Sequence, residues 1–255
     1  MYPPSFILAQ PSFTLTTTLP GPFKSYTTDK LQQIYAVTPQ NEVIKYSPDG
    51  QEIFRFNNNT LGELGHIDAT DPFNLLLFYP DFQIAITLDR TMSQTGEFNL
   101  QNLNIFNVQA MGTARDNDIW VYDELNFQLK KVSRDGTIQS TSEDLNLLLG
   151  QAPEVKSIEA RENFVYLNAP NLGLLVFDNF GNYHKTIPIT GVDRFQVLDQ
   201  RLIYQRQEEM LVFHLKALTD RPLALPKGIK PTAHIRLQKN RLYVLSEQTL
   251  KVYIF

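Results

Sequence analysis

Three observations in the 255-residue sequence predict an all-β ring of six four-stranded sheets. Short apolar runs recur at a nearly constant spacing. Each is followed, across a short polar connection, by a second apolar run. A lone strand pattern near the N-terminus has no partner nearby, while the last repeat lacks a strand. Together these features describe a six-bladed β-propeller of four-stranded blades, closed when the N-terminal strand joins the C-terminal blade.

The most apolar run of each unit is centred on Ile34, Leu75, Ile119, Phe164, Leu202 or Leu242. A period of roughly 40–45 residues with several strands per unit is the mark of propeller blades. The runs read IYAVT, LLLFY, IWVYD, FVYLN, LIYQR and LYVLS. They are apolar at successive positions, as expected of strands covered on both faces. The runs that follow are EVIKYS, FQIAITL, QLKKVS, LGLLVF, MLVFHL and LKVYIF. Three units then carry a glycine-ended turn: Pro48-Asp49-Gly50, Arg134-Asp135-Gly136 and Asn179-Phe180-Gly181. Glycine supplies the positive φ that such a hairpin requires. The other units lack this turn and rest on strand pattern alone.

A weaker strand precedes each apolar run and forms the inner strand of its blade. The six are Ser25–Thr28, His66–Thr70, Val108–Ala114, Val155–Ala160, Phe195–Asp199 and Thr232–Leu237. The last unit stops at Phe255 on its third strand. The fourth is supplied by Phe13–Leu19, which alternates apolar residues with β-branched threonine and is closed by Pro20-Gly21-Pro22. This pairing of the two ends leaves no open sheet edge. Ser142–Gly150 is the one stretch that suits a helical turn, with Ser142 or Asp144 as its cap. Residues 1–255 form one domain, with 1–12 as a leader. Phe6–Gln10 resembles the end of a secretory signal, although Met1–Pro4 supplies no basic or apolar lead-in.

Composition excludes several chemistries. A formal net charge of −4 and a pI near 5.6 offer no basic field for nucleic acid. No run is long and apolar enough for a membrane-spanning helix. Without cysteine there is neither a disulfide nor a thiolate metal site, and no compartment is indicated. No GxSxG nucleophile elbow or phosphate-cradling glycine loop is present. The reading assigns no catalytic residue, cofactor or metal.

The stretch Asp118–Ile138 (DIWVYDELNFQLKKVSRDGTI) resembles an NHL-type repeat, and Gln33–Gly50 and Asn163–Gly181 are weaker matches. Trp120 is followed by Val121, so the WD signature of another propeller class is absent. Nearly the whole chain also resembles a family of six-bladed propeller proteins from the cell envelope of Bacteroidetes. The residues that carry this resemblance are Pro20–Lys24 (PGPFK), Leu75–Phe82 (LLLFYPDF) and Trp120–Phe127 (WVYDELNF). The resemblance implies a periplasmic or outer-membrane-associated protein, with a cytoplasmic one as the alternative. Its motifs specify fold, not activity.

In a propeller, the loops between second and third strands share a face with the blade-to-blade connections. Function is expected there, on variable loops held by a rigid scaffold. Two of these loops place aromatics beside acids: Tyr79, Asp81 and Phe82, then Asp123, Glu124 and Phe127. Exposed aromatics rimmed by charge suit a protein or peptide partner carrying basic residues. The competing expectation is that Phe82 and Phe127 pack back onto their blades while Asp123 caps its turn. Leu145, Leu147, Leu148 and Leu149 form either an apolar lid or a plug over the sheet. The inner strands offer His66, Asp68, Glu159 and His234 as channel residues. A channel-site enzyme, such as a metal-dependent lactonase or a lyase, would use these four. Exposed aromatics would also serve a glycan-binding module. Neither alternative is demanded by spacing, since no HxH or HExxH pair is present. A non-catalytic binding scaffold is therefore the first expectation.

Overall fold

The structure is a computed structural model that describes residues 12–230 and 232–255. All of the expected leader except Ser12 lies outside the described residues. The chain forms six four-stranded antiparallel sheets, a six-bladed β-propeller.

The first strand, β1 (Thr14–Leu19), is set apart from the sheet that follows it. Blade 1 comprises β2 (Ser25–Thr28), β3 (Ile34–Val37), β4 (Val43–Tyr46) and β5 (Glu52–Phe56). Blade 2 comprises β6 (His66–Asp71), β7 (Asn74–Tyr79), β8 (Ile84–Leu88) and β9 (Gln94–Asn99). Blade 3 comprises β10 (Met111–Thr113), β11 (Ile119–Asp123), β12 (Gln128–Val132) and β13 (Ile138–Thr141). The helix α1 (Leu145–Leu149) follows. Blade 4 comprises β14 (Ser157–Arg161), β15 (Phe164–Ala169), β16 (Gly173–Asp178) and β17 (Tyr183–Ile187). Blade 5 comprises β18 (Val192–Leu198), β19 (Arg201–Arg206), β20 (Glu209–His214) and β21 (Thr219–Pro222). Blade 6 comprises β22 (His234–Gln238), β23 (Arg241–Ser246) and β24 (Thr249–Ile254), with β1 as its outermost strand.

The ring closes as the sequence predicts. Thr14 lies opposite Ile254 and Leu19 opposite Leu250, with a bulge between Leu15 and Thr17. Just beyond β1 the Phe23 amide donates to the Gln248 carbonyl at 3.2 Å. Gly21 fits here because a Cβ on it would stand 1.8 Å from that same carbonyl oxygen.

The apolar second strands are explained by six hydrophobic clusters, one between each pair of neighbouring blades. Side chains alternate across a strand. Leu75, Leu77 and Tyr79 accordingly enter the core shared with blade 1, while Leu76 and Phe78 enter the core shared with blade 3. Every position of β7 is buried. Trp120 belongs to the core between blades 3 and 4.

The glycine-ended turns put Gly50, Gly136 and Gly181 at φ of 85°, 81° and 87°. The blade-2 turn, which has no glycine, has the same hydrogen-bond pattern. The Met92 amide donates to the Asp89 carbonyl, and the Asp89 amide donates to that of Ser93. Met92 itself takes the left-handed conformation at φ 64°. The Asp89 carboxylate steadies it by accepting from the Thr91 and Ser93 amides at 2.7 and 3.0 Å. A left-handed non-glycine residue is strained. Here the side chain is also buried in the core between blades 1 and 2, which holds it in place.

Two element boundaries differ from expectation. The inner strand of blade 3 is only Met111–Thr113, and that of blade 5 starts earlier, at Val192, through a bulge before Arg194. A short 3-10 helix over Leu100–Leu103, capped by Asn99, also escapes the sequence pattern.

Candidate functional site

Each blade runs from the channel outward. The second-to-third-strand loops and the blade-to-blade connections consequently emerge together on one face. Short hydrogen bonds hold these loops. On blade 2 the Gln83 side chain reads both backbone groups of Val108, donating to its carbonyl at 3.2 Å and accepting from its amide at 2.7 Å. That contact joins the Asp81–Gln83 loop to the connection entering blade 3. On blade 3 the Leu145 amide donates to the Phe127 carbonyl at 2.9 Å, joining α1 to the Asp123–Phe127 loop. α1 is capped by Asp144, which accepts from the Asn146 and Leu147 amides at 2.9 and 3.1 Å.

The six residues proposed from sequence separate by exposure. Phe82 is 52% exposed and Asp81 is exposed beside it. Asp81 also accepts from the Glu63 amide at 3.2 Å, which fixes the incoming connection. Tyr79 is fully buried, a correction to its placement among the exposed aromatics. It is the last residue of β7, and strand alternation sends its ring into the core with Leu75 and Leu77. Asp123 is likewise fully buried. Its carboxylate accepts from the Leu125 and Asn126 amides at 3.1 and 3.2 Å and pairs with the Lys130 ammonium at 2.5 Å. It caps its turn. Phe127 is half-buried, with φ at 51°, and Glu124 is half-buried with its carboxyl pushed upward by burial.

Sequence reasoning missed Leu125 and Phe106. Leu125 is 61% exposed at the tip of the blade-3 loop, and Phe106 is exposed on the connection that Gln83 holds. The leucines of α1 divide: Leu145 is buried against the sheet, whereas Leu147 is 79% exposed and Leu148 is exposed. Leu145 thus plugs the core between blades 3 and 4, while Leu147 and Leu148 stand exposed on the other side of the helical turn. The exposed residues Glu63, Asp81, Glu143 and Glu154 give the same sector an acidic rim.

The channel residues are drawn together from separate blades. His66, Asp68 and Glu159 line one cavity of about 80 Å³ with Thr27, Ser157, Phe195 and Arg236, while His234 lies in the wider mouth next to it. Asp68 accepts from the Thr70 amide and, across the blade boundary, from the Thr113 amide, both at 2.7 Å. Glu159 accepts from the Val197 amide of blade 5 at 3.1 Å and from Arg161 at 3.3 Å. Gln196 repeats the device, reading both backbone groups of Leu237 on blade 6 at 2.7 and 3.0 Å. These side chains clamp one inner strand to the next. Burial pushes the Glu159 carboxyl up, against the pull of Arg161, and holds the His66 imidazole below its ordinary range despite Asp68. Burial, aided by Arg194 and Arg236, takes His234 down to about 3. Among the described residues no group of three or more His, Asp or Glu side chains converges as a metal site.

No protein-family profile matches the chain, and no curated protein resembles it in sequence. Solved structures do. Virginiamycin B lyase from Staphylococcus aureus is 12% identical with a TM-score of 0.67, over 96% of this chain and all of that one. The β-propeller domain of Cps50 (Swd1) from Myceliophthora thermophila is 8% identical with a TM-score of 0.65, over 96% of this chain and all of that one. A Bacteroides caccae protein of unknown function is 12% identical with a TM-score of 0.55, covering 89% of this chain and 81% of its own. Likeness at such identity shows the fold: the chain is a six-bladed β-propeller. One of these neighbours is an enzyme by name and another is not, so the shared fold carries no activity with it. No helix among the described residues is long and apolar enough to cross a membrane.

Proposed function

We propose that this propeller is a non-catalytic binding scaffold of the cell envelope, taking a protein or peptide partner on its loop face. The carrying observation is the set of exposed apolar side chains over blades 2 and 3: Phe82, Phe106, Leu125, Leu147 and Leu148. They sit on loops tied by the Gln83–Val108 and Leu145–Phe127 contacts, so little conformational freedom is lost when a partner settles on them. Apolar anchors within an acidic rim favour a partner that presents its own apolar side chains flanked by basic residues. The envelope location is supported by the sequence resemblance.

The test is partner capture from native cells with the Phe82→Ala/Leu147→Ala variant. Both residues are exposed, so the variant is expected to melt with the wild type and to lose the partner that the wild type retains. Capture that is unchanged in the variant would refute the assignment.

A further inference from the structure

The opposite sector of the same face holds a basin whose charged lining is mainly cationic. Between blades 5, 6 and 1 the channel opens into a basin of about 400 Å³, a size typical of small-molecule sites. Lys24, Arg194, Lys230 and His234 line it, and Glu247 is the one acid among its lining residues. Lys24 is already engaged by Glu63 at 2.9 Å. Among the described residues, the Arg194 side chain has only the neutral Gln205 amide oxygen as a partner, at 3.2 Å.

Below the basin, Arg194 and His234 continue into a narrow space shared with Phe195 and Arg236. Arg236 follows His234 by two positions on β22, so strand alternation turns both toward the channel while Ile235 and Leu237 enter the core. The Arg236 Nε is shielded from solvent and, among the described residues, has no hydrogen-bond partner. A shielded N–H without a partner is costly. Glu159, in the same cavity, attracts the Arg236 charge but does not pair with it. Asp68 and Glu159 are held by backbone amides and Arg161, and neither forms an ion pair with Arg236. His234 stays neutral and adds a hydrogen-bonding group without adding charge.

We propose that this basin binds a small organic anion, its carboxylate or phosphate group directed down the channel toward Arg236 and its remainder held by Arg194 at the mouth. A guanidinium presents a planar fork of donors that matches either oxyanion in bidentate fashion. A narrow cleft with cationic walls also concentrates anions from a solution in which the protein as a whole is repulsive, at net charge −4. The site is distinct from the apolar sector over blades 2 and 3 and does not depend on it.

Calorimetric titration of the purified chain with inorganic phosphate and, separately, with succinate tests the proposal at constant ionic strength. Saturable binding of at least one probe is expected, and the preferred probe identifies the oxyanion. Arg194→Gln should weaken binding by about tenfold, as expected for one charge-assisted contact. Arg236→Gln should abolish it while keeping the fold, as a cooperative melt of the free variant would show. Arg134→Gln removes the same charge from an exposed turn on the opposite face and should bind as the wild type does. Failure of both probes to bind would overturn the proposal. So would binding unaffected by Arg194→Gln, or weakened equally by Arg134→Gln.

Discussion

Thr16 and Val252 stand 236 positions apart in sequence, and the threonine hydroxyl donates to the valine carbonyl at 3.1 Å. That bond lies at the bulge in β1, on the seam where the first strand completes the last blade. A ring of six sheets has only one such seam, so the integrity of the loop face depends on it.

The seam can be trapped covalently. Thr18 pairs with Lys251, and the chain has no cysteine to interfere. Opposed residues in an antiparallel pair are separated by about the span of a disulfide. Thr18→Cys/Lys251→Cys should therefore form an intramolecular bond on oxidation, seen as faster migration on a non-reducing gel. The oxidised form should gain about 2–4 kcal/mol over the reduced one in denaturant unfolding. An unshifted band would show that the ends do not meet.

Asp123 supports the loop face from below. Its side chain is fully buried against Lys130, itself only 10% exposed. Removing one member of a buried pair leaves an uncompensated charge, at a cost of about 3–5 kcal/mol. Asp123→Ala is expected to lower stability by that amount in urea titration. A change below about 1 kcal/mol would mean that the pair is solvated and the loop held by other contacts.

The buried histidines set a pH dependence. In the unfolded chain both titrate near 6.5, whereas burial depresses His66 and takes His234 down to about 3. Below about pH 6.5 the unfolded chain gains protons that the folded chain refuses, so stability is lost as pH falls. Glu159 is shifted the other way: its contribution is present below its ordinary 4.5 and lost as pH rises through its folded value. The two effects oppose each other, and removing both imidazoles isolates the share of the histidines. The melting temperature should fall between about pH 7 and pH 5.5, and His66→Asn/His234→Asn should flatten that slope. A melting temperature that rises on acidification across this window would contradict the placement of both side chains.

The architecture was legible because each blade buries its second strand on both faces, which writes runs such as LLLFY into the sequence. The closing strand was legible because alternating threonines had no local partner. The blade-2 turn was not, since Met92 fills the left-handed position that glycine fills elsewhere. A subtler signal runs through these turns. Ser47, Asp89, Ser133 and Asp178 each accept, through the side chain, from the amide four positions on. A serine or aspartate at that position marks the turn without glycine. Tyr79 was misplaced because it ends a strand, where alternation sets its direction, whereas Asp123 follows the competing expectation and caps its turn. Leu125 was hidden for the converse reason: an apolar residue in a sequence reads as core. Arg194 and Arg236 belong to no motif, and only the packing of blade 6 on blade 5 brings them to one channel mouth.

Site-specific photocrosslinking in native cells tests the loop-face assignment most directly. A photoreactive residue would be placed in turn at positions 82, 125 and 147 on the loop face, and at 73, 180 and 218, which are exposed on turns of the opposite face. The account predicts one common crosslinked partner from the first three positions and none from the second three. The same partner captured from the second set, or capture from neither, would contradict it.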